Sequence, residues 1–428
     1  MTSAPAERTP EQTSRRGWWR ALGTGVITGA ADDDPSAIGT YASAGAMFGL
    51  GFLWIAPVLL PMMFIVTYFS AKLGRVYGKG LFAAIRDHYP PALLYPLMLF
   101  AFVGNIIEAA ANMGGVGAAL NLLIPVPISL LVVAVAAIAV GFQLLGSYEL
   151  LRRIFRWLTL ALFAYVAAAV MARPDPMEVL RATVEPRIAW DSRTLSMIVA
   201  CIGTSLSAYV YTWQSNQEVE EQIDEGRETA AQRRGATEGE LQRTRRDVFV
   251  GMCFSNIILY FIILSTGATL HPAGHTAIDS AADAARALEP LAGEGAKLLF
   301  AAGVIGVGFL AIPVMTTGAA YDLVQGVGAK GTLHDRLDEA KLFYLMIVLV
   351  TIVAAALNFL GFNPMKALVW SGIVQGFSVP PLLLVMMLMT NNPRMMGGRA
   401  NTGLTRAAGW ATTAVTFAVA GALVASWL

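Results

Sequence analysis

"GAADDDPSAIG", residues 29–39, decides how this chain folds. Three aspartates and a proline stand inside an apolar run, between ALGTGVIT (21–28) and TYASAGAMFGLGFLWIAPVLLPMMFIV (40–66). Each charge at a bilayer centre costs roughly 2.5–3.5 kcal/mol or more, so Asp32, Asp33 and Asp34 need a special setting. Pro35 has no N–H and disfavours helix in the residue before it. Gly23, Gly25, Gly29 and Gly39 tolerate unusual backbone angles. The helix is therefore expected to break near residues 33–37. Freed backbone groups are tolerated at membrane depth only where they line a wet or protein-filled cavity.

The surrounding composition sets the class. Of 428 residues, 56% are hydrophobic and 14% charged, against about 25% charged in a soluble domain. This is an all-α polytopic membrane protein. Cys201 and Cys253 fall in apolar segments, which argues against a disulfide framework or a Cys-based zinc site. Residues 1–20 are polar and basic and read as a cytoplasmic tail, since the apolar run after them is too long for a signal peptide.

Apolar runs of about 20 residues mark spans. Eleven are expected, at 21–49, 51–71, 92–121, 125–146, 154–172, 194–217, 247–270, 291–325, 342–361, 364–390 and 408–427. The first, third and eighth are long enough to be broken, tilted or extended into loops. With the N-terminus inside, 23 of the 30 Lys and Arg residues fall in cytoplasmic segments and 7 outside. That bias supports this orientation, with the C-terminus outside. The charged segment 217–247 reads as a solvated cytoplasmic linker.

That linker follows the sixth span, which carries GTSLSAY at 203–209. Its centre is small and hydroxylic, and the signal for a break is weaker there. If the first ten spans form two five-span repeats, 21–172 and 194–390, the first and sixth correspond, and 408–427 is an eleventh helix. Interrupted segments at matching positions point to a transporter's midplane binding site. In the third span Asn105, Glu108 and Asn112 share one helix face. Glu108 reads either as a proton or ion relay, with Asn105 beside it, or as a polar contact between helices. Gln143, Asn256, Asn358 and Gln375 read as packing contacts, and Glu149 as a surface partner of Arg152 and Arg153. His88, His271, His275 and His334 map to loops.

GTGVITGAADDDPSAIGTYASAGAMFGLGFLW (23–54), SAKLGRVYGKGLFAAIRDHYP (70–90), GTSLSAYVYTWQSNQEVEE (203–221) and ALNFLGFNPMKALVWSGIVQG (356–376) resemble the Nramp superfamily of divalent-metal transporters. More closely, they resemble its Nramp-related magnesium transporter branch. The likeness runs from about Leu22 to the last span. It implies a LeuT-type fold of two inverted five-helix repeats, with helices one and six unwound at the site. The family's Asp-Pro-Gly-Asn reads here Asp34-Pro35-Ser36-Ala37, so the Asp is kept and Ala37 offers no side-chain ligand. Thr204 falls at the family's carbonyl ligand and Ser207 at its Met. Ala208, Tyr209 and Val210 replace Pro-His-Asn. The third-helix Asp and Glu become Asn105 and Glu108, and the tenth-helix Gln falls at Gly372.

These departures remove direct ligands and a soft sulfur. Oxygen-only sites suit Mg²⁺, Ca²⁺ and Mn²⁺, and Mg²⁺ keeps most of its waters. The resemblance thus implies alternating-access transport of largely hydrated Mg²⁺ and Mn²⁺, with proton coupling weak or absent. The alternative is a proton-coupled Mn²⁺/Fe²⁺ symporter. Asp34 is the expected principal ligand, with Thr204, Ser207 and Ala37 at the metal positions and Tyr209 and Gly372 behind them or in the vestibule. Asp33 would act behind the ion or through its carbonyl and Asp32 would attract ions at the vestibule, or both would pair with polar neighbours. The metal is cargo, and no cofactor, nucleic-acid partner or obligatory protein partner is expected. The bilayer is the plasma (inner) membrane.

Other classes fit less well. Tyr321-Asp322 matches half of an intramembrane aspartyl protease, but Gly-X-Gly-Asp is absent, so no enzyme is expected. Clustered aspartates in helix one would repel the carboxylate of an amino-acid substrate. Nothing suggests a channel's oligomeric pore.

Overall fold

A computed structural model describes residues 28–29, 31–145 and 160–427. The tail at 1–20 and the Glu149 contacts lie outside the described residues, as do parts of the first and fifth predicted spans. Regular structure among the described residues is helical throughout. The principal helices are α1 Pro35–Phe48, α2 Ile55–Tyr77, α3 Pro91–Asn121, α4 Ile128–Leu145, α5 Phe163–Met171, α6 Ser192–Ser205, α7 Ala208–Asp224, α8 Glu238–Thr269, α9 Ala296–Val327, α10 Lys341–Leu357, α11 Pro364–Thr390 and α12 Gly403–Ala425. Among the described residues, eight segments are long and apolar enough to cross a membrane, and α4 is a shorter apolar helix.

The long third and eighth spans run as continuous helices, α3 and α9, although α9 holds Pro313. Both interruptions sit elsewhere. Helical backbone stops at Asp32 and restarts at Pro35, with Asp34 extended between them. Asp34 is the N-cap of α1: its carboxylate accepts the Ala37 N–H, and Pro35 occupies the first helical position, where a missing N–H costs nothing. The sixth span breaks at Leu206 and Ser207, separating α6 from α7.

These two broken helices are held by α3, α8, α9 and α11. Helix α6 lies against α11 so closely that a Cβ on Gly203 would come within 1.8 Å of the Gly372 carbonyl oxygen. Only glycine permits that approach, and it fixes the depth at which α6 ends. Asn256 donates to the Ala56 carbonyl, Asn358 to the Ala110 carbonyl, and Thr316 and Thr317 to Gln143, so these three amides link neighbouring helices.

The segment 217–247 is solvent-exposed over most of residues 223–239, as expected of a linker, but its first turns are not. Helix α7 continues to Asp224 and buries Glu218, Val219, Glu220 and Gln222. Arg75 of α2 pairs with Glu218 at 2.9 Å, with Glu225 at 3.4 Å, and with Glu221. Glu218, Glu221 and Glu225 are thus half of an inter-helix ion network, which ties the end of α7 to α2.

Candidate metal centre

Asp34 is buried, and each of its oxygens accepts two hydrogen bonds. Oδ1 accepts from the Ala37 N–H at 2.7 Å and from Ser36 Oγ at 2.8 Å. Oδ2 accepts from Asn112 Nδ2 and from the Tyr209 hydroxyl, each at 3.1 Å. The carboxylate sits at the N-terminal end of α1, where the first-turn N–H groups point towards it.

Glu108 approaches from α3. Ser207 Oγ lies 3.0 Å and Ser36 Oγ 3.1 Å from its Oε1, and its Oε2 accepts from Gln375 Nε2 at 2.6 Å. The Ser36 N–H donates to Asn112 Oδ1 at 2.9 Å, tying α1 to α3. Asp34, Ser36, Glu108, Asn112 and Ser207 expose no surface. The centre is therefore occluded in this conformation, where the sequence predicts a watery chamber.

Each expected residue has a definite place. Ala37 supplies a backbone donor to Asp34 and no side-chain ligand. Thr204 Oγ1 bonds back to the Ala200 carbonyl, while its own carbonyl oxygen lies 3.1 Å from Ser207 Oγ. The Tyr209 hydroxyl stands at the upstream break, 3.0 Å from the Ala31 carbonyl oxygen and 3.1 Å from Asp34 Oδ2, and its one proton goes to either. Asn105 lies one turn from the pair and donates to Asp322 at 3.0 Å.

Two expectations are corrected. Gly372, expected where the family's tenth-helix Gln stands, instead packs behind Thr204, whose Cγ2 a Cβ there would meet at 2.7 Å, and serves the α6–α11 contact. The amide that reaches the centre from α11 is Gln375, which by sequence reads as packing. Three residues further along a helix is nearly one turn, so Gly372 and Gln375 stand close to one face of α11. Asp32 is fully buried and faces no vestibule. Ser255 Oγ lies 2.9 Å from Asp32 Oδ2 and 2.8 Å from Asp33 Oδ1, so both pair with one polar neighbour on α8.

Ser36, Asn112 and Met315 join the centre without being singled out as ligands by the sequence. Asn112 has a signal, because it stands one turn beyond Glu108 on the same face. Ser36 follows the Asp-Pro break directly. Met315 of α9 has none; its sulfur accepts from Asn112 Nδ2 at 3.3 Å. Among the described residues no three His, Cys, Asp or Glu gather to hold a metal ion. The acidic part of the centre is the Asp34–Glu108 pair, and its other groups are mainly hydroxyls and amides. Oxygen and amide groups of this kind have the chemistry of sites for hard cations.

The family described as natural resistance-associated macrophage protein-like matches residues 25–426. The divalent metal cation transporter MntH of Klebsiella pneumoniae is 26% identical over 431 residues, covering 99% of this chain and 98% of its own. The Eremococcus coleocola manganese transporter, solved with an aromatic bis-isothiourea compound, superposes with a TM-score of 0.72 at 17% identity, covering 97% of this chain and 87% of its own. The inward-facing conformation of Mhp1 gives a TM-score of 0.52 at 15% identity, over 93% and 90%. The fold is the LeuT type.

Proposed function

We propose, because this chain belongs to the Nramp family of divalent metal transporters, that it carries Mg²⁺ and Mn²⁺ as largely hydrated ions by alternating access, with proton coupling weak or absent. It is a membrane transporter and not an enzyme. The supporting observation is the lining of the two breaks. Asp34 and Ser36 stand at the first and Ser207 at the second, and a hydroxyl rather than a sulfur meets Glu108 there. Oxygen donors with one or two carboxylates suit a hard cation that keeps its waters.

The surroundings of Glu108 support weak coupling. From it a chain of hydrogen bonds runs through Gln375 and Asn105 to Asp322. Both intermediates are side-chain amides, which donate and accept hydrogen bonds but do not ionise. The chain orients Glu108 without conducting protons from it. One observation favours the second reading, a proton-coupled Mn²⁺/Fe²⁺ symporter: the Met315 thioether lies just behind Asn112, within reach of a softer ion after a small rearrangement.

Purified protein in liposomes tests both. The proposal expects Mg²⁺ and Mn²⁺ to compete for uptake without acidifying the lumen, and Asp34→Ala to abolish uptake while the protein still inserts. Cd²⁺ or Fe²⁺ entry with stoichiometric protons and no Mg²⁺ transport would establish the second reading instead.

A further inference from the structure

A cavity of about 220 Å³ opens between α2, the first turns of α8 and the segment joining α11 to α12. It lies at the end of the bundle that the Lys/Arg bias assigns to the cytoplasm. Lys72, Arg245 and Arg399 line it against one carboxylate, Glu238. Arg399 pairs with Glu238. Lys72 is only 7% exposed, and its ammonium donates to Asn401 Oδ1 at 2.8 Å. Among the described residues neither Lys72 nor the exposed Arg245 forms a direct ion pair; Glu238, held by Arg399, attracts the Lys72 ammonium only from across the cavity.

Two cations without ion-pair partners thus share one small cavity, one of them almost out of water. Buried charges are ordinarily paired, so the arrangement calls for an anion. Thr402 adds a hydroxyl to the same wall, beside Thr405, whose own hydroxyl donates to the Thr402 carbonyl at 2.7 Å. Two cations with a hydroxyl form the donor set of a phosphate site. At roughly 30 Å³ per water, the space takes a phosphate group with several waters.

The membrane side of the cavity indicates what carries that phosphate. Tyr68 lines the cavity and stacks on Phe64 with centroids 5.8 Å apart, and Phe64 meets Phe249 edge-on at 5.5 Å. Phe249 stands one helical turn from Arg245 and is 49% exposed, and its neighbour Val250 is 54% exposed. Leu404, beside Thr405, is 83% exposed. An apolar track therefore leads from the cationic cavity into the bilayer. A free phosphate would make no use of it, whereas acyl chains would cover it.

We propose that this cavity binds the phosphate of an anionic phospholipid, with its chains along Phe64 and Phe249. Basic pockets between transmembrane helices at this interface take up such headgroups. The lipid would tie α2, α8 and the α11–α12 link together at one end of the bundle.

Native mass spectrometry of the full chain, offered phosphatidylglycerol and phosphatidylcholine of equal chain length, tests this. Wild type is expected to retain phosphatidylglycerol preferentially, and the exposed Arg245→Gln to reduce that preference roughly fivefold. Lys72→Met should do the same, and Arg394→Gln, on the same segment but outside the cavity, should not. Equal retention of the two lipids would overturn the proposal, as would a preference unchanged in Arg245→Gln or lost equally in Arg394→Gln. Inorganic phosphate that stabilises wild type against heat, with no preference between lipids, would assign the cavity to free phosphate and overturn the lipid reading.

Discussion

Asp34 and Glu108 share one hydroxyl: Ser36 Oγ lies 2.8 Å from Asp34 Oδ1 and 3.1 Å from Glu108 Oε1. One hydroxyl carries one proton, so it donates to only one of the two at a time. A single movable proton is thus shared between the two carboxyl groups, in a place with no exposed surface, while Asn112 ties their helices together.

Ser36→Ala is therefore predicted to weaken cation capture more than fold stability. It removes a donor that screens the two carboxylates, while Asn112 and Ala37 still hold Asp34. Losing a hydrogen bond to a charged group is worth about 1.5–3 kcal/mol, so the apparent KM for Mn²⁺ in proteoliposomes should rise at least tenfold. Ser36→Thr, which keeps the hydroxyl, should stay near wild type. An unchanged KM in Ser36→Ala would remove the shared hydroxyl from the transport cycle.

On α11, Gln375 and Gly372 should respond in opposite ways. Gln375→Leu removes the amide 2.6 Å from Glu108 Oε2. It is expected to slow uptake severely while the protein still elutes as a single species. Gly372→Gln is expected to fail at folding, because its Cβ alone would lie 2.7 Å from Thr204 Cγ2 and 2.9 Å from the Ala200 carbonyl oxygen. Size-exclusion profiles alongside uptake would separate the two; a well-folded, active Gly372→Gln would contradict the tight α6–α11 contact.

Ser255 is the shared hydrogen-bond partner of two buried carboxylates, those of Asp32 and Asp33. Among the described residues, Asp32 Oδ1 and Asp33 Oδ2 have no hydrogen-bond partner. Leaving buried acceptors unpaired costs about 1–3 kcal/mol each, more when they are charged. Ser255→Ala should lower the thermal midpoint by several degrees, and Ser255→Thr much less. Equal midpoints for Ser255→Ala and wild type would show that this hydroxyl does not hold the upstream edge of the break.

His334, between α9 and α10, gives a pH dependence. The hydrogen bond to Glu220, and after it the one to Asp224 at 2.8 Å, raise its pKa from 6.5 to about 9 against the effect of partial burial. A pKa raised in the folded state contributes stability that is fully present below 6.5 and is lost as pH rises through about 9. The thermal midpoint of wild type should fall across that window, modestly because the ring is partly exposed. The curve for His334→Gln should be flatter there. Parallel curves would mean that the imidazole carries no linked proton.

The first break is legible because its causes are local. Proline after aspartate disfavours helix at Asp34 whatever surrounds it, and the same carboxylate then caps the helix that follows. The sixth-span break is only hinted at. Nothing within GTSLSAY compels an interruption; there Ser207 Oγ accompanies the turn by reaching the Gly203 carbonyl at 2.7 Å and Glu108 on another helix. The carboxylates of 217–247 look solvated until Arg75, more than 140 residues away in the chain, is placed beside them.

The sequence by itself determined the membrane class, the helix break at Asp34 and the shared face of Glu108 and Asn112, because backbone sterics and helical periodicity act within a few residues. Only the tertiary structure decided that Gln375 rather than Gly372 meets Glu108, that Ser255 holds Asp32 and Asp33, and that Met315 stands behind Asn112. Those choices depend on how far each helix is rotated and slid against its neighbours. That rotation and sliding are set by close contacts such as Gly203 on Gly372, which join residues far apart in the chain and leave no local pattern.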